Sequence, residues 1–352
     1  MEAGFLIPLR KDAKYAIAAL TSMGVRLCPV NYEPFHTAGT YTMQVTSAES
    51  NALSVSSYLG MPSLIITSFV KESPIADKIR HDLKSRGMDF VGPEIDSGGP
   101  WGFRHQINMT DTGYGLRGPR VHNDRGGEVA RGINVKDFDL DEIFGSWGVK
   151  ILHMSGLFAA LSKQTGEFCL ACARAAKKYN TLISFDINYR ASMWKDRTQE
   201  LTRLFDEIRD MTDIMSGIYV PGAQDKDWPT AMDMTKQAIE SYRSRCPASV
   251  YLATHREIED TNNHIFGGIL NACGQWHYVE PKRISVIDRI GSGDAFVGGV
   301  LYGVLRGWTP DKWLRFGWAS GVTAAGMLSD HIKPMDEESI WQVWQGNAAV
   351  TR

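Results

Sequence analysis

The chain carries almost no charge imbalance: 38 Lys and Arg stand against 40 Asp and Glu, a net charge of −2 over 352 residues. That removes any electrostatic case for a nucleic-acid partner or an anionic membrane surface. There is also no apolar run approaching the roughly 18 residues that span a bilayer. The first stretch, MEAGFLIPLRKDAKY, lacks the basic lead and small-residue cleavage site of a signal peptide, so the expected location is the cytoplasm. Cysteine is sparse. Cys28, Cys169, Cys172, Cys246 and Cys273 are odd in number and scattered, which argues for a reducing compartment. Cys169 and Cys172 form a CxxC, but within the helical stretch GEFCLACARAAKKY and without a second pair or a nearby histidine. They read as two small buried residues on one helix face, not a zinc site. No repeat, low-complexity segment or Pro/Ser-rich linker divides the chain, so 1–352 reads as one α/β domain.

What is present is an alternation. VKILHMSGL (149–157), TLISFDINY (181–189), TDIMSGIYV (212–220) and SVYLATH (249–255) read as strands. Helical patterns over 162–179, 198–211 and near 230–244 separate them. This rhythm predicts βαβ units: a mostly parallel central sheet with helices on both faces. Ligands of such sheets bind beyond the carboxyl ends of the strands. Residues 24–47 and 97–128 differ, being rich in Gly, Pro, Thr and aromatics without a 3.6-residue period. They predict a small antiparallel β lid over that ligand end.

The stretch DRIGSGDAF (288–296) concentrates the chemistry. A dinucleotide fingerprint needs a third glycine where Phe296 stands, and a Walker A loop needs a GK[ST] that is missing. Two readings remain open on the local pattern. Gly291, Ser292 and Gly293 can turn their N–H groups toward an anion at the mouth of a helix starting near Asp294, with Asp294 as a base. Alternatively, Asp294 is an N-cap and the glycines a tight turn.

DRIGSGDAF resembles the D-[TR]-x-G-[AS]-G-D-[AS]-F motif of the ribokinase-like, phosphofructokinase-B type sugar kinases. HMSGLFAALS (153–162) and SFDINYRASMW (184–194) are similar to segments of the 2-dehydro-3-deoxygluconate (KDG) kinases of that family, and HNDRGGEVA (122–130) echoes a third. The resemblance runs over about residues 15–350. It implies a ribokinase-like fold with ATP and Mg²⁺ as cofactors and an acid-sugar substrate, while the exposed sheet edges of the lid predict a homodimer formed through it. It implies that Asp294 is the catalytic base, and that Gly291, Ser292 and Gly293 form the anion hole. Arg190 would meet the acid sugar, with Arg125 a second arginine from the lid. Asn51 would face the sugar hydroxyls, and Arg104 stands where the family has a sugar-facing tyrosine. Asp288, Asp186, Asn188 and Arg256 are candidates for the ATP and metal environment. No direct metal ligand is assigned, and adenine is expected between the segment before Asp288 and 317–334.

Several positions depart from the family pattern. Thr46-Ser47 replaces an early Gly-Gly, Thr21-Ser22 a Gly-Glu, and Asn123 a tyrosine. An N-x-x-E linked to magnesium placement is missing from SGIYVPGAQDKDW. The expected activity is phosphorylation of the 6-hydroxyl of KDG. A kinase of another acid sugar or sugar, and a non-catalytic ligand-binding protein on a kinase fold, stay open beside it.

Overall fold

The computed structural model describes residues 7–218 and 220–346. In chain order the first half contains β1 (Tyr15–Leu20), β2 (Gly24–Pro29), β3 (Tyr41–Thr46), α1 (Ala48–Tyr58), β4 (Ser63–Ile66), β5 (Phe69–Val70) and α2 (Pro74–Ser85). It continues with β6 (Met88–Val91), β7 (Glu94–Ile95), β8 (Gln106–Asp111), β9 (Arg120–Asp124), β10 (Val149–Ser155) and α3 (Gly156–Ala159). Then follow α4 (Lys163–Lys178), β11 (Leu182–Asp186), α5 (Ala191–Trp194), α6 (Thr198–Arg209), β12 (Ile214–Ser216) and α7 (Trp228–Arg243). The chain closes with β13 (Val250–Asp260), β14 (Asn263–Ala272), β15 (Gln275–Ser285), α8 (Ser292–Leu305), α9 (Pro310–Ala325) and α10 (Glu337–Gln345).

Nine strands form the main sheet in the order β15-β14-β13-β12-β11-β10-β1-β4-β6. Pairings from β6 through β13 are parallel, while β13, β14 and β15 form an antiparallel meander at one edge. Strand β1, YAIAAL, has no polar face because it is covered on both sides. Ile17 and Ala19 enter one hydrophobic cluster, and Ala18 and Leu20 the other. Opposite faces of successive residues and helices on both sides account for this. The first cluster takes Val300, Leu301, Trp313 and Leu314 from α8 and α9. The second takes Phe168, Cys169 and Cys172 from α4, with Phe205 from α6. The CxxC is thus a pair of free, buried thiols, whose pKa values burial pushes up. Among the described residues, no helix is long and apolar enough to cross a membrane.

The second sheet, β3-β2-β8-β9, is the lid. Its four strands lie within the two segments expected to form it. It is antiparallel apart from the β2–β8 pairing, which is parallel. Since β2 follows β1 after three residues and β3 leads directly into α1, the lid is held against the carboxyl ends of the main strands.

Candidate active site

Between the lid and those strand ends lies a cavity of about 850 Å³. Its floor is the loop before α8. Helix α8 begins at Ser292, two residues earlier than Asp294, and its N-cap is Gly291 at φ 80°. A side chain at Gly291 would collide with the Asp330 backbone, so the left-handed φ and the close approach both demand glycine. A Cβ on Gly293 would meet nothing within 4 Å, so this part of the helix mouth faces open space. Asp294 is therefore not an N-cap. It sits in the first turn, and its Oδ2 accepts a 3.1 Å hydrogen bond from Asn51 Nδ2. Asn51 reaches it because α1 crosses α8 closely: a Cβ on Gly298 would strike the Ala52 carbonyl and Val55.

Burial pushes the Asp294 carboxyl up to about 8; Asn51 opposes this, while Asp186, Asp330 and Glu49 add to it. Asp186, at the end of β11, is raised to about 6 by burial, against the Asn188 N–H and Arg190. Asn188 holds that bond from a left-handed φ of 39°. Arg190 stands at the cavity wall, exposed, with Nη1 donating to the Tyr189 carbonyl at 3.0 Å. Arg125 also lines the cavity, but Glu128 pins it at 2.7 Å.

Not every candidate faces the cavity. Arg104 lies outside it, half exposed and ion-paired with Asp124 at 2.9 Å. The place expected of Arg104 is filled instead by Gln106, Asn108 and Thr110, alternate residues of β8 that line the cavity. Asp288 is buried behind the loop, ion-paired with Arg26 of β2, and its Oδ1 accepts from Ile290 N at 3.0 Å. Arg256, on β13, donates to Ser292 Oγ at 2.7 Å.

The departures have structural work. Ser47 caps α1, accepting from Ser50 N at 3.1 Å. Thr46 donates to Asp330, which burial pushes up but which His331, Arg26 and Thr46 hold down at about 2. Thr21 and Ser155 both donate to Glu49, a buried carboxylate of α1 that also lines the cavity. Ser22 donates to Glu128, the partner of Arg125. Glu49, Arg26 and Asp330 escape sequence reasoning, because each is defined by a partner far away in the chain. Thr46-Ser47 in place of two glycines is the signal that could have led to Asp330.

In chemical terms, one end of the cavity offers an open helix N-terminus beside a carboxyl group, and the wall offers a guanidinium. The first suits a phosphoryl group and a hydroxyl to be deprotonated; the second suits a carboxylate. The architecture and this loop define a carbohydrate kinase. The sequence pattern of the pfkB family carbohydrate kinases matches residues 268–331. A curated relative, 2-dehydro-3-deoxygalactonokinase of Haloferax volcanii, is 24% identical over 93% of this chain and 96% of its own length. The 2-dehydro-3-deoxygluconokinase of Bacillus subtilis is 25% identical over 78% of this chain and 79% of its own. The solved structure of a PfkB family carbohydrate kinase from Listeria grayi is 26% identical and superimposes with a TM-score of 0.81, covering 94% of this chain and 99% of that one. The chain thus resembles the ribokinase-like carbohydrate kinases of the pfkB family in fold and in this loop.

Proposed function

We propose that the protein transfers the γ-phosphoryl group of ATP to the 6-hydroxyl of 2-dehydro-3-deoxygluconate. The observation that carries this reading is the placement of Asp294, beside the open mouth of α8, in the same cavity as Arg190. The names of the Haloferax and Bacillus relatives support the 2-dehydro-3-deoxy acid class and leave the configuration of one hydroxyl to be tested.

In this reading Arg190 pairs with the sugar carboxylate, a planar guanidinium being suited to two-point contact. Asn51 orients the Asp294 carboxylate and faces the sugar hydroxyls. Asp294 accepts the proton of the 6-hydroxyl as its oxygen bonds to the γ-phosphorus, and the bond from that phosphorus to the leaving oxygen of ADP breaks. The N–H groups of the 291–293 loop and the α8 dipole carry the developing charge. The open space at Gly293 fits a phosphate there. Mg²⁺ would come with the nucleotide, held mostly by phosphate and water, with Asp186 the strand-end carboxylate available to it; its chemistry is to neutralise phosphate charge. Arg125, already bound to Glu128, assists from the lid. A cytoplasmic homodimer joined at the lid completes the reading. Its support is the exposed apolar side chains on the two lid edge strands, Tyr41 and Met43 on β3 and Val121 on β9.

The test is a coupled assay of ADP release with Mg²⁺-ATP, run with 2-dehydro-3-deoxygluconate, its galactonate epimer and a neutral hexose. Release stimulated by an acid sugar, with a 6-phosphorylated product, is expected. Folded protein that binds ATP or an acid sugar yet releases no ADP on adding sugar would overturn the kinase reading for this substrate class. A ligand-binding role would then replace it.

A further inference from the structure

The lid strands β2 and β8 bring polar atoms to the cavity wall that no protein group satisfies. Gln106 and Asn108 are alternate residues of β8, and both line the cavity. The Gln106 side chain lies across β2. A Cβ on its register partner Gly24 would collide with Gln106 Cγ, so a glycine there makes room for it. Its Nε2 donates to the Ser22 carbonyl at 3.1 Å. A carbonyl only accepts, so the amide cannot be turned round, and Oε1 is left buried without a partner among the described residues. Asn108 Oδ1 is buried and without a partner there too. Beside Asn108 in the parallel pairing of β2 and β8 stands Arg26, a third residue of the cavity wall. Its Nε and Nη1 are in the same condition, so guanidinium and amide stand in register and neither uses the other.

Buried polar atoms left unpaired are costly, and here two acceptors and two donors share one wall. Their chemistry defines what would satisfy them. The oxygens of Gln106 and Asn108 need donors, which excludes a carboxylate or a keto oxygen, since neither has a proton to give. Arg26 in turn excludes an ammonium group. Nor does Arg26 require an anion, because its charge is already met by Asp288. What it lacks is a neutral acceptor. A hydroxyl group donates and accepts at once, and so meets both demands. Two residues of strand place Gln106 roughly 6–7 Å from Asn108, a span that the longer glutamine side chain can shorten to suit hydroxyls on neighbouring carbons.

We infer that Gln106 and Asn108, with Arg26 donating from the next strand, read the sugar hydroxyls that are not phosphorylated and so set the specificity of the site. A substrate carrying those hydroxyls is accepted, and its deoxy analogues are refused. This rests on the cavity being the sugar site of the proposed reaction. It adds that the hydroxylated carbons face β8 while the carboxylate is left to Arg190.

Calorimetry on the whole protein, without nucleotide, tests this with 2-dehydro-3-deoxygluconate and its analogues lacking the 4- or the 5-hydroxyl. The proteins are the wild type, Gln106→Met and Asn108→Leu, replacements of similar size that carry no acceptor oxygen. The wild type is expected to bind the parent sugar roughly 10–100-fold more tightly than either analogue, the scale of a buried group left unpaired. Each variant is expected to bind the parent more weakly by a similar factor and to lose its preference over one analogue, the two affinities falling within about threefold of each other. A role in packing alone would weaken all three sugars alike. Asn108 is only half-buried, so its variant guards against a folding defect in the other. A wild type that binds the parent no more tightly than the analogues, or an Asn108→Leu protein that keeps every preference, overturns the inference. The kinase reading is judged separately. ADP release with equal kcat/KM for parent and analogues would keep that reading and sink this one, and discrimination in binding without ADP release would do the reverse.

Discussion

Asn51 Nδ2 lies 3.1 Å from Asp294 Oδ2, a contact between the start of α1 and the first turn of α8 that spans 243 positions of sequence. Asparagine is suited to this place. It donates to the carboxylate without neutralising it, so the group stays basic where an arginine would make it a weak base. With burial holding the carboxyl at about 8, Asp294 in the free protein gives up its proton only toward the alkaline side of neutrality.

A pH profile and a stability curve follow from that one carboxyl. For the wild type, kcat/KM is expected to rise about tenfold per pH unit below pH 8 and to level off above it, because the free enzyme must lose this proton. Asp294→Asn removes the base, and a fall of about 10²–10⁴-fold in kcat is expected. Stability moves the other way. The Asp294 carboxyl stands at about 8 in the fold against an ordinary 3.8. Its contribution to stability is fully present below the lower value and is lost as pH rises through the higher one. The Asn variant is therefore expected to match the wild type in Tm near pH 4 and to exceed it increasingly toward pH 8. A variant keeping more than a tenth of wild-type kcat would reduce Asp294 to a structural residue, and a Tm difference that shrinks with rising pH would contradict its raised pKa.

Arg190→Ala is expected to raise KM for the acid sugar by roughly 10–100-fold, the equivalent of a lost charge-assisted contact, and to leave a neutral hexose nearly unaffected. Arg190 is exposed and its hydrogen bond is to the adjacent Tyr189 carbonyl, so little stability is at stake and thermal melts should coincide. Equal rises in KM for the acid and for the neutral sugar would make Arg190 a general wall residue and remove the anchor of the acid-sugar reading.

The parts of the molecule that were legible in the sequence are those whose physics is local. The strand and helix alternation from 149 to 255 showed itself in hydrophobic period, and each expected element from β10 to β13 is present within a few residues. The glycine loop stood out as either an anion cradle or a tight turn beside an N-cap aspartate, and the N-cap is Gly291 at φ 80°, not Asp294. The antiparallel meander of β14 and β15 was not foreseen. Its turn is built on Cys273 at φ 47° and Gly274, not on the Asn-Gly that signals a hairpin. Arg104 lies two residues before β8, where it pairs with Asp124, and the cavity-facing residues of that strand are Gln106, Asn108 and Thr110. Thr46 stood out only as a departure from a glycine pair, its partner Asp330 lying 284 positions away, and Arg26 could not be read at all, its partner Asp288 lying 262 positions away.

That last pair yields the sharpest test of how the lid is tied to the chemistry. Arg26 belongs to a lid strand and Asp288 to the glycine loop, and their ion pair is buried, with side chains 2% and 1% exposed. Two nitrogens of the guanidinium, Nε and Nη1, have no partner among the described residues, so the pair is bound on one side only. Removing either member strands a charge away from water, which costs about 3–5 kcal/mol for a buried pair. Arg26→Met leaves two carboxylates, Asp288 and Asp330, facing each other without a cation, and is expected to lose that much by urea unfolding. Asp288→Asn leaves Arg26 with Asp330 still near, so its loss is expected to be the smaller. The double variant removes both desolvated charges, and a double-mutant cycle is expected to return a coupling of about 2 kcal/mol or more. Activity separates strut from filler. If the pair holds the loop under the lid, the Asp288→Asn protein should show a lower kcat at temperatures well below its melting point, because the 291–293 N–H groups lose their aim. A coupling under about 0.5 kcal/mol together with a wild-type kcat would mean that lid and loop are positioned independently, and that Arg26 and Asp288 merely share a buried space.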